Sequence, residues 1–142
     1  MAQFEFKLPD IGEAKVVCEG RGMTVIAWGA MLHEAQQAVE QAPELDAELI
    51  DLRTLWPLDV ERLARSVRKT GRCAIVQEAP RTCGFAAEIS ALIQERCFTS
   101  LEAPIARITG WDTPFPYTLE NEYLPLAPRI LGALRGLKAY EA

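Results

Sequence analysis

The stretch Thr70-Gly-Arg-Cys-Ala-Ile-Val-Gln-Glu-Ala-Pro-Arg-Thr-Cys-Gly-Phe-Ala-Ala-Glu-Ile-Ser90 decides the fold. Gly71 is a helix stop, because a residue without Cβ takes up the left-handed turn freely. Cys73 to Gln77 reads as a buried strand that opens with four apolar residues in a row. A loop from Glu78 to Gly84 follows, and a helix opens on Phe85. A continuous apolar strand feeding a helix marks a parallel sheet covered on both faces. It also sets the loop at the carboxyl edge of the sheet, where open α/β folds bind their ligands. Glu78, Arg81 and Gly84 are therefore the first candidate site residues.

The same alternation extends in both directions. Ala14 to Glu19 reads as a short strand closed by Gly20-Arg-Gly22, and Met23 to Trp28 as a central one that ends at Gly29. Met31, Ala35, Ala38 and Ala42 then recur on one helical face up to Pro43. Glu48 to Leu52 is the next strand, and Asp59 is placed to N-cap a helix whose buried stripe is Val60, Leu63, Ala64 and Val67. Beyond the central stretch, Phe85, Ile89, Leu92, Ile93 and Cys97 share a helix face. Pro104 to Ile108 reads as a fourth parallel strand, Gly110 to Tyr117 as irregular, and Leu126 to Tyr140 as a closing helix with Pro128 in its first turn. Strands alternating with helices give a three-layer α/β/α sandwich.

At 142 residues the chain is one domain by length, residues 14–142 with a lead-in of residues 1–13. A net charge of −5 argues against a nucleic-acid partner, which needs clustered Lys and Arg. No apolar run reaches the about 18 residues of a membrane span. The start lacks the basic-then-apolar order of a signal peptide. Cys18, Cys73, Cys83 and Cys97 contain no Cys-x-x-Cys pair, and His33 is the one histidine, so no zinc-type ligand set is expected. The cysteines read as reduced packing thiols, which implies a cytoplasmic location. The sequence offers no nucleophile–base pair, so no catalytic residue is assigned.

Several blocks, in order, carry a resemblance. They are Val25-Ile-Ala-Trp-Gly29, Glu48-Leu-Ile-Asp-Leu-Arg-Thr-Leu-Trp-Pro-Leu-Asp59, Lys69-Thr-Gly-Arg72, Glu78-Ala-Pro80, Gly84-Phe-Ala-Ala-Glu-Ile89, Leu101-Glu-Ala-Pro-Ile-Ala-Arg107 and Asp112-Thr-Pro-Phe-Pro116. With them the chain resembles the C-terminal domain, of transketolase C-terminal fold, of a 2-oxo-acid dehydrogenase E1 β subunit. The Glu78 and Asp112 blocks are closest to the branched-chain, 2-oxoisovalerate type. The resemblance implies a five-stranded mixed sheet of order 1-3-2-4-5 with the first strand antiparallel. It also implies that thiamine diphosphate and Mg²⁺ belong to the complete enzyme. There a glutamate of an N-terminal β domain grips the aminopyrimidine, and a Gly-Asp-Gly motif of the α subunit holds the diphosphate. This sequence contains no Gly-Asp-Gly, and the resemblance covers only the C-terminal domain. The expectation is a chain that binds no cofactor and does not catalyse alone. Leu8-Pro-Asp-Ile-Gly-Glu13 resembles the first strand of a lipoyl domain, but no lysine stands in the Asp-Lys-Ala context that lipoylation uses. So early a methionine beside that hexapeptide implies a fragment, a truncated reading frame or a fusion.

The implied strand order reverses between the strands ending at Trp28 and Gln77. Gly29 then faces Glu78, Arg81 and Gly84 across one crevice. Glu78 either meets a ligand there, a small anion being the alternative function, or accepts backbone hydrogen bonds and orders its loop. The resemblance implies, as partners, E1 α and β chains and the basic subunit-binding domain of the acyltransferase, with a homo-oligomer expected. Glu102, in the Glu-Ala-Pro block, is the leading contact residue, with Arg107 beside it. Trp28, Trp56, Trp111, Phe115 and Tyr117 are interface candidates. Trp111, Phe115 and Tyr117 fit either an interface or the core, and an exposed apolar patch is expected around them, while Trp28 better fits the core. The leading functional reading is a non-catalytic structural and docking domain of a thiamine-dependent branched-chain 2-oxo-acid dehydrogenase.

Overall fold

The computed structural model describes residues 12–141. Five strands, β1 (Lys15–Cys18), β2 (Met23–Ala27), β3 (Ala47–Asp51), β4 (Cys73–Pro80) and β5 (Ala106–Gly110), form one sheet of order β1-β3-β2-β4-β5. The pair β1/β3 is antiparallel and the other three pairs are parallel. Leu8 to Ile11 of the lipoyl-like hexapeptide lie outside the described residues.

The helices cover both faces, as two-sided apolar strands require. Helices α1 (Ala30–Glu40) and α5 (Ala127–Lys138) close one core around Val25, Leu49 and Val76. Helices α2 (Val60–Thr70) and α3 (Phe85–Cys97) close the other around Ile26, Ile50 and Ile75. Alternate strand residues therefore serve opposite cores, the period-two rule of a pleated strand. A short helix, α4 (Glu120–Tyr123), lies before α5.

The helix ends follow their sequence signals. Asp59 accepts from the Arg62 amide at 3.1 Å as the cap of α2, and its second oxygen accepts from Ala14 N at 3.1 Å, which ties β1 to that helix. Gly71 ends α2 with φ +71°. The start of α5 is capped from outside, by a Glu34 carboxylate oxygen 2.8 Å from Ala127 N. Arg72 donates to the Leu137 and Lys138 carbonyls at the other end of α5. A guanidinium there complements the negative helix terminus.

Two strands differ from the sequence reading by two residues or more at a boundary. Strand β4 runs on to Pro80, because past an irregularity it pairs again, Pro80 against Gly110. Only the segment from Arg81 to Gly84 is loop. Strand β5 begins at Ala106 and not at Pro104, because the Glu102 amide bonds the Gly71 carbonyl at 2.8 Å and holds that segment as a turn.

Candidate functional site

The crevice expected at the reversal of strand order is present between the ends of β2 and β4. It is a cavity of about 350 Å³, lined by Trp28, Leu55, Glu78, Phe85, Phe115 and Tyr123 together with backbone of the β4 end. Trp28 and Phe85 stand edge to face at 6.1 Å, and Phe115 and Tyr123 at 5.1 Å.

Of the four crevice candidates, only Glu78 lines this cavity. Gly29 caps α1 with φ +58° and faces open space. Arg81 turns away to donate to the Arg107 carbonyl at 3.1 Å, and Arg107 returns a bond to the Arg81 carbonyl at 3.4 Å. Gly84 lies beneath the loop, where a Cβ would stand 1.9 Å from Gln77 Nε2 and 2.5 Å from the Pro80 carbonyl oxygen.

The residue that orders the loop is Gln77 and not Glu78. Gln77 is buried, and its Nε2 donates to the Ala79 and Pro80 carbonyls at 3.1 and 2.7 Å. Its Oε1 accepts from Ala86 N at 2.7 Å, in the first turn of α3. The sequence held a signal for this: a polar amide closing the run Cys73 to Val76 must find partners once buried. A second strap is Arg129. It donates to the Tyr123 and Thr109 carbonyls, and its guanidinium lies 4.2 Å over the Trp111 ring. Partial burial pulls its pKa down. Trp111 Nε1 donates to the Glu122 carbonyl at 2.8 Å, so the irregular segment is tied at both ends. Asp112 accepts from Thr82 N and Oγ1 at 2.8 and 2.7 Å, and these bonds hold its carboxyl below the usual range.

The lining of the cavity speaks against a small anion as its ligand. Among the described residues its lining carries a carboxylate and no Lys or Arg, so an anion would meet like charge there. For the same reason it does not fit the diphosphate of thiamine diphosphate. Among the described residues no group of three or more His, Cys, Asp or Glu is placed to hold a metal.

The partner candidates divide between the two ends of the sheet. Glu102 lies at the amino end of the parallel strands, exposed, 3.5 Å from Arg72 Nε. Exposed Phe98 and Tyr140 flank it around a smaller cleft. Arg107 sits within β5, half-buried, and does not meet Glu102. Trp111 and Phe115 stand at the carboxyl end, with Tyr117, Leu119, Leu55 and Trp56, all exposed. Trp28 packs against the core on the α2/α3 side of the sheet, as expected, and its half-buried side chain also lines the cavity. His33 is exposed on α1. Glu48, buried on β3, pairs with Lys69 of α2. A wider groove of about 520 Å³ beside α2 holds charges that pair among themselves, Arg62 with Asp59 and Arg96 with Glu61. The four cysteines are free thiols, Cys73 and Cys97 buried, and burial pushes both of those thiols up. No helix among the described residues is long and apolar enough to cross a membrane.

Known proteins contain a similar domain. Residues 12–130 match the family described as transketolase, C-terminal domain. The 2-oxoisovalerate dehydrogenase subunit beta of Pseudomonas aeruginosa is 51% identical over 130 residues, covering 92% of this chain and 37% of that protein. The mitochondrial subunit of the same name from Dictyostelium discoideum is 53% identical, over 85% of this chain and 33% of that one. The pyruvate dehydrogenase E1 component subunit beta of Staphylococcus epidermidis is 47% identical, over 85% and 38%. The chain thus spans a third to two-fifths of the length of these relatives. A solved split-gene transketolase, described as an inactive β4 tetramer, shares the fold with a TM-score of 0.75 at 24% identity, over 97% of this chain and 46% of that one. This chain belongs to the family of transketolase C-terminal domains, and within it to the type found in β subunits of the 2-oxoisovalerate dehydrogenases.

Proposed function

We propose that this domain is a non-catalytic structural and docking part of a thiamine diphosphate-dependent branched-chain 2-oxo-acid dehydrogenase E1 component. It stands alongside E1 α and β chains and recruits the acyltransferase through that subunit's basic subunit-binding domain. The observation that carries this reading is Glu102. Its carboxylate is exposed on a turn pinned to the Gly71 carbonyl, and only a long 3.5 Å contact to Arg72 engages it. An exposed acid held on a rigid turn attracts a basic partner, raises the rate of encounter and loses influence as salt rises. The four free thiols favour the cytoplasm as its compartment.

The test is association of the full chain with an isolated acyltransferase subunit-binding domain at several salt concentrations. Glu102→Lys is expected to weaken binding about tenfold at low salt and to leave the melting temperature unchanged, because the side chain is exposed. Equal binding by variant and parent would remove Glu102 from the interface. On the same reading the chain alone binds no thiamine diphosphate. Calorimetric titration with the cofactor and Mg²⁺ is expected to give no stoichiometric heat, and micromolar binding would overturn the assignment of the chemistry to other chains.

A further inference from the structure

We propose that the cavity between the ends of β2 and β4 is a binding site for an organic cation, an alkylammonium or guanidinium headgroup. Four aromatic side chains line it: Trp28, Phe85, Phe115 and Tyr123. Within each contacting pair the ring planes are nearly perpendicular, at 87° and 76°, so the rings give the cavity walls of different orientation. Ring faces are the negative part of an aromatic, and a cation within about 6 Å of a ring centroid is drawn to them. Aromatic cages receive ammonium groups, and the attraction to the ring faces grows as the cation is desolvated.

The single carboxylate of the lining supplies the complementary charge. Glu78 stands exposed at the rim, and none of the side-chain hydrogen bonds or ion pairs among the described residues engages it. Among the described residues no Lys or Arg lines the cavity, and Arg81 is turned to the Arg107 carbonyl. The donors that an anion would need are already spent. The Gln77 amide is committed to Ala79 and Pro80, and the Ala86 N–H is committed to Gln77. At about 350 Å³ the cavity falls in the size range of small-ligand sites. The inference rests on this lining alone and is independent of docking at Glu102, which lies at the other end of the sheet.

The experiment follows the Trp28 indole N–H by NMR in the full chain. The probes are choline, its neutral isostere 3,3-dimethylbutan-1-ol, N-acetylarginine amide and acetate. Choline or the arginine amide is expected to shift the Trp28 signal saturably. Tighter binding of the arginine amide assigns the site to a protein side chain, and tighter binding of choline to a small molecule. The neutral isostere is expected to bind about tenfold more weakly than choline, and acetate not at all. Glu78→Gln and Phe115→Ala should each raise the choline Kd about tenfold, with the melting temperature held, as both side chains reach the surface. Equal affinity for choline and its isostere would make the cavity an apolar pocket only. That result, the lack of any saturable shift, or an unchanged Kd in Glu78→Gln overturns the proposal.

Discussion

At the scale of single residues, the loop after β4 depends on one amide fitting over one glycine. Gln77 makes three hydrogen bonds in a space that exists only because residue 84 has no Cβ. Gln77→Leu removes those bonds and leaves the Ala86 N–H buried without a partner. A cost of about 2–3 kcal/mol in urea denaturation is expected. Gly84→Ala should cost at least as much in the parent and somewhat less in the Gln77→Ala background, where the amide clash is gone but the Cβ still stands 2.5 Å from the Pro80 carbonyl oxygen. Equal costs in both backgrounds would show that the glycine serves something other than the amide. The placement of Glu78 at the crevice was legible in the sequence because it follows an apolar strand. The part played by Gln77 was not, because pattern reading assigns a polar residue to the strand's end and cannot name its partners. Arg129 was missed for a related reason. On a helix a lone arginine reads as a solvated charge, and only the fold brings the Thr109 and Tyr123 carbonyls beneath it.

At the scale of elements, caps and strand order were readable, while ties between elements were not. Asp59 and Gly71 bound α2 by local chemistry that the sequence displays. The pair between Glu48 of β3 and Lys69 of α2 joins residues far apart in sequence, and it sets a pH dependence. Burial pushes the Glu48 carboxyl up, but hydrogen bonds from Lys69 and Ser66 outweigh it and hold the carboxyl below its usual value. The bond to Glu48 raises Lys69, against a smaller effect of burial. A carboxyl depressed on folding contributes stability that is present above its unfolded pKa of about 4 and is lost as pH falls through the folded value. A raised lysine contributes stability that is complete below about 10.4 and is lost as pH rises through the folded value. Glu48→Gln should therefore cost about 1–2 kcal/mol near neutrality, the solvent at the lysine end moderating it. It should also flatten the loss of stability between about pH 5 and 3. Denaturation midpoints across that range provide the check, and parallel acid limbs for variant and parent would remove the pair from the pH response.

At the scale of the whole molecule, apolar surface is concentrated at one end. Trp56 is 89% exposed, Tyr117 90%, Leu119 58% and Trp111 54%. Leu55 and Phe115, which line the same cavity, join the two halves of this surface into one patch. The sequence led to an exposed patch near Trp111 to Tyr117 and offered Trp56 as a further interface aromatic, and the structure adds the placement of Leu55 and Trp56, from the loop after β3, at that same end. That addition was not readable, because it depends on the strand order setting two loops distant in sequence side by side. A contiguous apolar surface rimmed by polar residues is the mark of an association site. Tryptophan and tyrosine are also the residues that dominate such interfaces. Solvent meets this end from every side in the isolated chain, so the patch is expected to pair with a second copy when no other partner is supplied. Sedimentation velocity should show a concentration-dependent dimer. Trp56→Asp with Tyr117→Asp should abolish it and leave the melting temperature within a degree or two, since neither ring contributes to the core. The double variant also separates this surface from the docking site at Glu102. It should leave Glu102-dependent binding of the subunit-binding domain intact, because Glu102 lies at the opposite end of β5. A chain that stays monomeric at every accessible concentration, with these rings exposed, would show that the patch needs a different partner to close it.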